Sequence, residues 1–261
     1  MANSLRLLSR PMQTRSSLTS FSMPRHSSSW ALHTAVPTLA DGKERICRTA
    51  LDVRKRVLGS DHPDTLASTG YLGSLYERQR KYEDSERSHR QVLAKREKVL
   101  GITHLDTLTS ANNLGLVLGR QKCYKEAEAM HRQALETREV VLGPDHPDTV
   151  WSVSNLGLAL NGQGKYKEAE AIHRRALQSR EKVLGLEHPD TLISLNDLGH
   201  VYNSLGKLKE AEAMHRQALE MGERILGLEH PSTLVSVNDL AWCLYRKGKL
   251  EEPEITFRRA V

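Results

Sequence analysis

The chain has 261 residues, with 38 Lys+Arg against 32 Asp+Glu, a formal charge of +6 and a pI near 9.2. Such a balance suggests a nucleic-acid or anionic-membrane surface, but residues 1–40 hold four arginines (Arg6, Arg10, Arg15, Arg25) and no acid, which leaves 41–261 at only +2. No apolar run approaches the ~18 residues of a membrane span, and three scattered cysteines (Cys47, Cys123, Cys243) give neither a disulfide framework nor a zinc site.

In chain order, residues 1–42 come first: a Ser- and Arg-rich tail without sustained periodicity. A disordered tail is the expected state, and a mitochondrial presequence the alternative, which Pro11 weakens by interrupting the Leu5, Leu8, Met12 spacing. Localisation follows the same division: cytoplasmic by default, mitochondrial if 1–40 is a targeting segment.

From residue 43 onward a 42-residue period governs the chain. His62-Pro63-Asp64-Thr65 recurs at His104, His146, His188 and His230 without an insertion. His89-Arg90, His131-Arg132, His173-Arg174 and His215-Arg216 keep the same step, as do Gly59, Gly101, Gly143, Gly185 and Gly227. Such repetition is the mark of a stacked-repeat fold.

Within a period the apolar spacing is helical. Leu108, Ala111, Leu114, Gly115, Val117 and Leu118 mark the buried face of a helix A. Gln121 to Tyr124 make a turn where later repeats carry Gly164, Gly206 and Gly248. Helix B follows, with Ala127, Met130, His131, Ala134, Leu135, Val141 and Leu142 as its expected stripe. Gly143 then stops the helix at positive φ, and Pro147 and Asp148 restart the next one. Small residues (Gly73, Gly115, Gly157, Gly199, Ala241 on helix A; Ala127, Ala169, Ala211 on helix B) allow close approach between helices. The helix-B charges Glu126, Glu128, Arg132 and Glu136 read as solvated i,i+4 pairs. The array comprises a half repeat at 43–60, repeats from 62, 104, 146 and 188, and a truncated one from 230. Ile255, Phe257, Ala260 and Val261 end it without a polar cap, so either a longer array or self-association through that face is expected.

The Leu-Gly-x-x-Leu/Tyr of helix A, followed by Ala-x-x-x-His-x-x-Ala of helix B, resembles the tetratricopeptide repeat (TPR). The 42-residue form, with Asn-Asn-Leu-Gly, Lys-Tyr-x-Glu-Ala-Glu and Gly-x-x-His-Pro-Asp-Thr, is similar to the repeats of kinesin light chain and of related signalling arrays. Leu105, Ser85, Pro253 and the Gly70-Tyr71 pair depart from that pattern. The resemblance implies an all-α, right-handed solenoid of antiparallel helix pairs, a TPR-like superhelix, acting as a non-enzymatic scaffold. The alternative is the ligand-sensing arm of a larger signalling NTPase of the NB-ARC or NACHT type.

No catalytic, metal or cofactor constellation is expected. Nine of the twelve histidines belong to the two periodic series, which holds them apart along the solenoid and gives them structural places. Gly162-Gln163-Gly164-Lys165 lacks the Ser/Thr and the strand of a phosphate loop. A groove remains. In TPR arrays helix A lines the concave face, which implies inward positions at Asn112, Asn113, Leu116 and Arg120; Ser154, Asn155, Leu158 and Asn161; Asn196, Asp197, His200 and Asn203; and Asn238, Asp239, Trp242 and Arg246, with Trp151 a further anchor. Asn presents a donor and an acceptor together, which suits the backbone of an extended peptide. The partner expected is therefore a protein or peptide, with no nucleic acid and no membrane.

Overall fold

The computed structural model describes residues 39–248, with side chains from Gly42 onward. It contains ten helices: α1 (Leu39–Leu58), α2 (Pro63–Arg78), α3 (Tyr82–Leu100), α4 (Leu105–Arg120), α5 (Tyr124–Leu142), α6 (Pro147–Gly162), α7 (Tyr166–Leu184), α8 (Pro189–Ser204), α9 (Leu208–Leu226) and α10 (Pro231–Arg246). The even-numbered helices are helix A and the odd-numbered ones helix B; every consecutive pair packs together, which makes an α-solenoid. The expected tail, and the uncapped end at Ile255, Phe257, Ala260 and Val261, lie outside the described residues.

Each helix A starts on an imidazole. The Nδ1 atoms of His62, His104, His146, His188 and His230 accept from the backbone N–H two residues on, at 3.1–3.2 Å. That satisfies one of the orphan donors of the first turn, the task usually given to Ser, Thr, Asp or Asn. Proline follows at the first helical position in four of the five, and Leu105 stands there in α4 without altering the helix. Helix B ends at glycines whose φ is +86° to +90°, closed to side-chain-bearing residues at low cost. The A-to-B turn needs positive φ too: Gly164, Gly206 and Gly248 supply it, whereas Arg80 and Lys122 adopt it at +60° and +66° despite a Cβ.

The core is thin and runs the length of the array. Leu108, Ala111, Leu114, Gly115, Val117 and Leu118 are all buried, as expected of helix A. On helix B the expected stripe holds through Leu135, but Val141 lies 53% exposed, because the last turn extends past the neighbouring A helices. Successive A helices touch (α4 with α6, α6 with α8, α8 with α10), and no two successive B helices do so to a similar extent. The A layer is therefore the tighter, inner one, and its outward-facing surface is the concave face.

The closest approach in each hairpin is an imidazole over a glycine. His89, His131, His173 and His215 are almost fully buried. A Cβ built on Gly73, Gly115, Gly157 or Gly199 would lie 2.4–2.9 Å from the matching ring. Small residues on helix A thus admit a large planar one from helix B.

Hairpins are tied to each other by charge on helix B. Glu128 accepts from Arg132 at 2.8 Å and, across the repeat boundary, from Lys165 at 2.8 Å and Gln163 at 2.6 Å. These hydrogen bonds outweigh its burial and hold its carboxyl down at about 2. Glu128 is therefore an inter-repeat tie as well as the i,i+4 partner of Arg132. Lys81–Glu44 at 2.8 Å and Lys207–Glu170 at 2.7 Å repeat the bond, and Cys123 stands where Glu86 would meet its lysine.

Two glycines of α4 test the ring contact. Gly115→Ala drives a methyl to 2.6 Å from the His131 ring, whereas a methyl on Gly119 meets nothing within 4 Å. Thermal unfolding followed by circular dichroism is expected to show G115A destabilised by about 1–3 kcal/mol and G119A stabilised by about 0.5–1 kcal/mol.

Candidate functional site

The sixteen expected inward positions, and Trp151 beside them, separate by register once the helices are packed. In two of the pairs, Asn112-Asn113 and Asn196-Asp197, the first Asn is not in the groove. Asn112 is fully buried: its Oδ1 accepts from His131 Nδ1 at 2.8 Å and its Nδ2 donates to Ser152 Oγ of the next helix A at 2.6 Å. Asn196 repeats this with His215 at 3.2 Å and Ser236 at 2.8 Å. Asn203 is also buried, its Nδ2 donating to His215 Nε2 at 3.1 Å. Asn112, Asn196 and Asn203 are thus corrected from groove residues to partners of the core imidazole. A neutral ring has one donor and one acceptor nitrogen, and at His215 one asparagine takes each.

The second position of the pair does face the groove. Asn113 is half-buried beside Leu116 and exposed Arg120, whose Nε lies 3.5 Å from Glu77. Asn155 and Asp197 follow in the same register, then Asp239, whose Oδ2 is 3.1 Å from His200 Nε2. That hydrogen bond, more than the other influences, raises the His200 pKa. Leu158, His200 and Trp242 continue the Leu116 register and are exposed, with Trp242 stacked on Tyr245 at 5.7 Å. Arg246 is exposed and holds Asn203 O at 2.7 Å; Asn238 is exposed; Trp151 is half-buried, its ring 5.9 Å from the Arg138 guanidinium.

Three cavities line this face, and neighbours share walls. One, of about 520 Å3, has Glu77, Asn113, Leu116 and Arg120 on it. The next, of about 260 Å3, reuses Leu116 and Arg120 and adds Asn155 and Leu158. A third, of about 420 Å3, reuses Asn155 and Leu158 and reaches Asp197. They form one discontinuous trough from α2 to α8. Among the described residues no cluster of three or more His, Cys, Asp or Glu is placed to hold a metal ion, and no helix is long and apolar enough to cross a membrane.

A second periodic constellation went unread in the sequence. Arg54, Arg96, Arg138 and Arg180 stand one period apart on helix B and donate to Ser68, Ser110, Ser152 and Ser194 on the next helix A. Arg138 is buried to 1% exposure, reaching Ser152 Oγ at 2.9 Å, Asp148 O at 3.0 Å and Thr109 Oγ1 at 2.8 Å. Burial lowers the pKa of Arg138 and Arg180. Gly222 occupies the next place in the series. The 42-residue step of both residue types was the signal that could have found it.

The tetratricopeptide-repeat profile matches residues 44–98, 69–122, 106–182, 152–224 and 190–261, nearly the whole repeat region. The chain belongs to the tetratricopeptide repeat family. Its repeats are similar to the TPR-like repeats of a kinesin light chain from Podosopora anserina, at 26% identity over 76% of this chain and 94% of that one, with a TM-score of 0.67. BtubC (BKLC) from P. vanneervenii superposes with a TM-score of 0.70 at 17% identity, covering 85% and 90% of the two chains. Rap protein complexed with Competence and Sporulation Factor does so with a TM-score of 0.64 at 15% identity, covering 85% of this chain and 64% of that one. These last two show the TPR fold alone. No curated protein sequence matches. As a TPR protein the chain is a protein-interaction repeat scaffold.

The core imidazoles give this TPR array a defined acid response. Burial pushes the pKa of His89, His131, His173 and His215 down to about 4, against an unfolded value near 6.5. On acidification the unfolded chain takes up these protons first, so their contribution is whole above pH 6.5, declines below it and is lost by about pH 4. In the limit each is worth about 3 kcal/mol. Asp197, pushed up to about 6 by burial, acts oppositely, but it is one group against four. Melting temperatures are expected to fall steadily from pH 7 to pH 4.5; a flat profile would contradict neutral buried rings.

Proposed function

We propose that the protein binds an extended segment of a partner protein along the trough of its A layer, without catalysis. The observation that carries this reading is the sharing of walls: Leu116 and Arg120 bound two cavities, and Asn155 and Leu158 bound the next two, so one strand of peptide can occupy all three. Pocket spacing along a solenoid suits side chains that project alternately from an extended backbone. Asn113 and Asn155, one period apart, can each offer a donor and an acceptor to main-chain amides. Asn155 is only 5% exposed and its Nδ2 has no partner, a donor held ready on the trough wall. Leu158 and Trp242 supply exposed apolar surface, and aromatic anchors of this kind dominate many interfaces. A protein of the same fold carries Competence and Sporulation Factor in its solved complex, which supports bound factors on such a scaffold. The compartment proposed by default is the cytoplasm.

The double variant Asn113→Ala, Asn155→Ala tests the trough. Quantitative affinity capture from native lysate is expected to lose the wild-type partner set by at least about tenfold, with circular dichroism and melting temperature unchanged. Equal capture would reject the trough as the binding face.

A further inference from the structure

We infer that the cavity bounded by α6, α7 and α8 is a subsite for a basic side chain, lysine or arginine, projecting from the bound partner segment. This assignment rests on the trough as the binding face and specifies what one part of it selects.

The cavity holds about 420 Å3 and has two kinds of wall. Trp151, Leu158 and Ile193 form an apolar side suited to an aliphatic stem. The other side is acidic, with Asp145, Asp148, Asp190 and Asp197 against the single cation Arg180. Lys182 neutralises Asp145 at 2.6 Å from outside, which leaves three aspartates facing one arginine. Arg180 is already engaged, donating to Ser194 Oγ. Asp148 and Asp190 lie in first helical turns, where the dipole offsets part of their charge.

Asp197 has no such relief. Only 16% of its side chain is exposed, and its nearest basic atom is His173 Nδ1 at 4.0 Å, on a ring that burial keeps neutral. Arg180 and His200 act on it only through space, and burial pushes its carboxyl up to about 6. Beside it, Ser154 Oγ and Asn155 Nδ2 are buried without partners, on residues each 5% exposed that line the same cavity. Uncompensated buried polar groups each cost about 1–3 kcal/mol, so a ligand that satisfies them gains that difference. An ammonium or guanidinium can donate to Asp197 and Ser154 Oγ, while Asn155 Nδ2 donates to the carbonyl of the same residue's backbone. A glutamate would meet like charge, and an apolar side chain would leave Asp197 and Ser154 Oγ unsatisfied.

The test follows the Trp151 indole resonance in proton–nitrogen NMR spectra of the full chain, assigned through Trp151→Phe. The probes are the Nα-acetyl, C-terminal N-methylamide forms of lysine, arginine, norleucine and glutamate. Lysine and arginine are expected to bind at least tenfold more tightly than norleucine or glutamate. Asp197→Asn is expected to erase that preference and to raise the melting temperature at pH 8, since it removes an uncompensated carboxylate. Ile193→Asp, a substitution at a 46% exposed rim position, is expected to tighten lysine binding by threefold or more. Norleucine or glutamate binding as tightly as lysine would overturn the subsite, as would D197N that melts lower than wild type or binds lysine unchanged. Putrescine binding as tightly as the capped lysine would replace a partner side chain with a free amine and so overturn the assignment as well. If the preference fails while N113A/N155A still loses its partners, only the subsite falls and the trough stands.

Discussion

The structure depends on a neutral imidazole pressed against a glycine. In every complete hairpin a helix-B histidine fills the notch left by a missing Cβ on helix A, at distances no alanine tolerates. This contact sets how closely the two helices approach, and through that spacing it decides which helix-A residues become core and which remain open. Charge is disfavoured at the position because the ring is buried. Polarity is not excluded, because Asn112, Asn196 and Asn203 supply hydrogen bonds that only the neutral ring can accept and donate together.

Much of the fold was legible in the sequence because a fixed period repeats the same physics. Helix lengths, turns and the buried faces of helix A follow from apolar spacing, glycine and proline alone. The groove was half legible. Asn112 and Asn113 are adjacent in sequence, and one turn of backbone angle, about 100°, separates a core ligand of His131 from a trough residue. Periodicity places the pair on the array but cannot rotate it, since the rotation is set by contacts with the next repeat's helix A. The same limit hid the Arg138–Ser152 clamp and the role of Glu128, both of which exist only across a repeat boundary.

One further departure from the period falls in the repeat from 146. Where its neighbours place asparagine beside the core histidine, the repeat from 146 has Ser154, too short to reach the ring of His173. Both ring nitrogens there, with Asn161 Oδ1, are buried without hydrogen-bond partners. The repeat thus sacrifices the polar satisfaction that its neighbours keep, and it does so beside the acidic cavity lined by Asp148, Asp190 and Asp197. A rule broken locally within an otherwise regular array is where function is expected to reside.

Cys123 carries a mechanical meaning. A solenoid behaves as a chain of units coupled to nearest neighbours, and the lysine it replaces is a coupling spring at other boundaries. Lys122 beside it holds a positive φ that favours glycine, and Arg90 still reaches Glu126 across the same boundary at 3.0 Å. The ties between repeats are therefore not identical. Between α3 and α5 the tie is an exposed Arg90–Glu126 pair, whereas between α5 and α7 it centres on the largely buried Glu128 carboxylate, so salt screens the first more than the second.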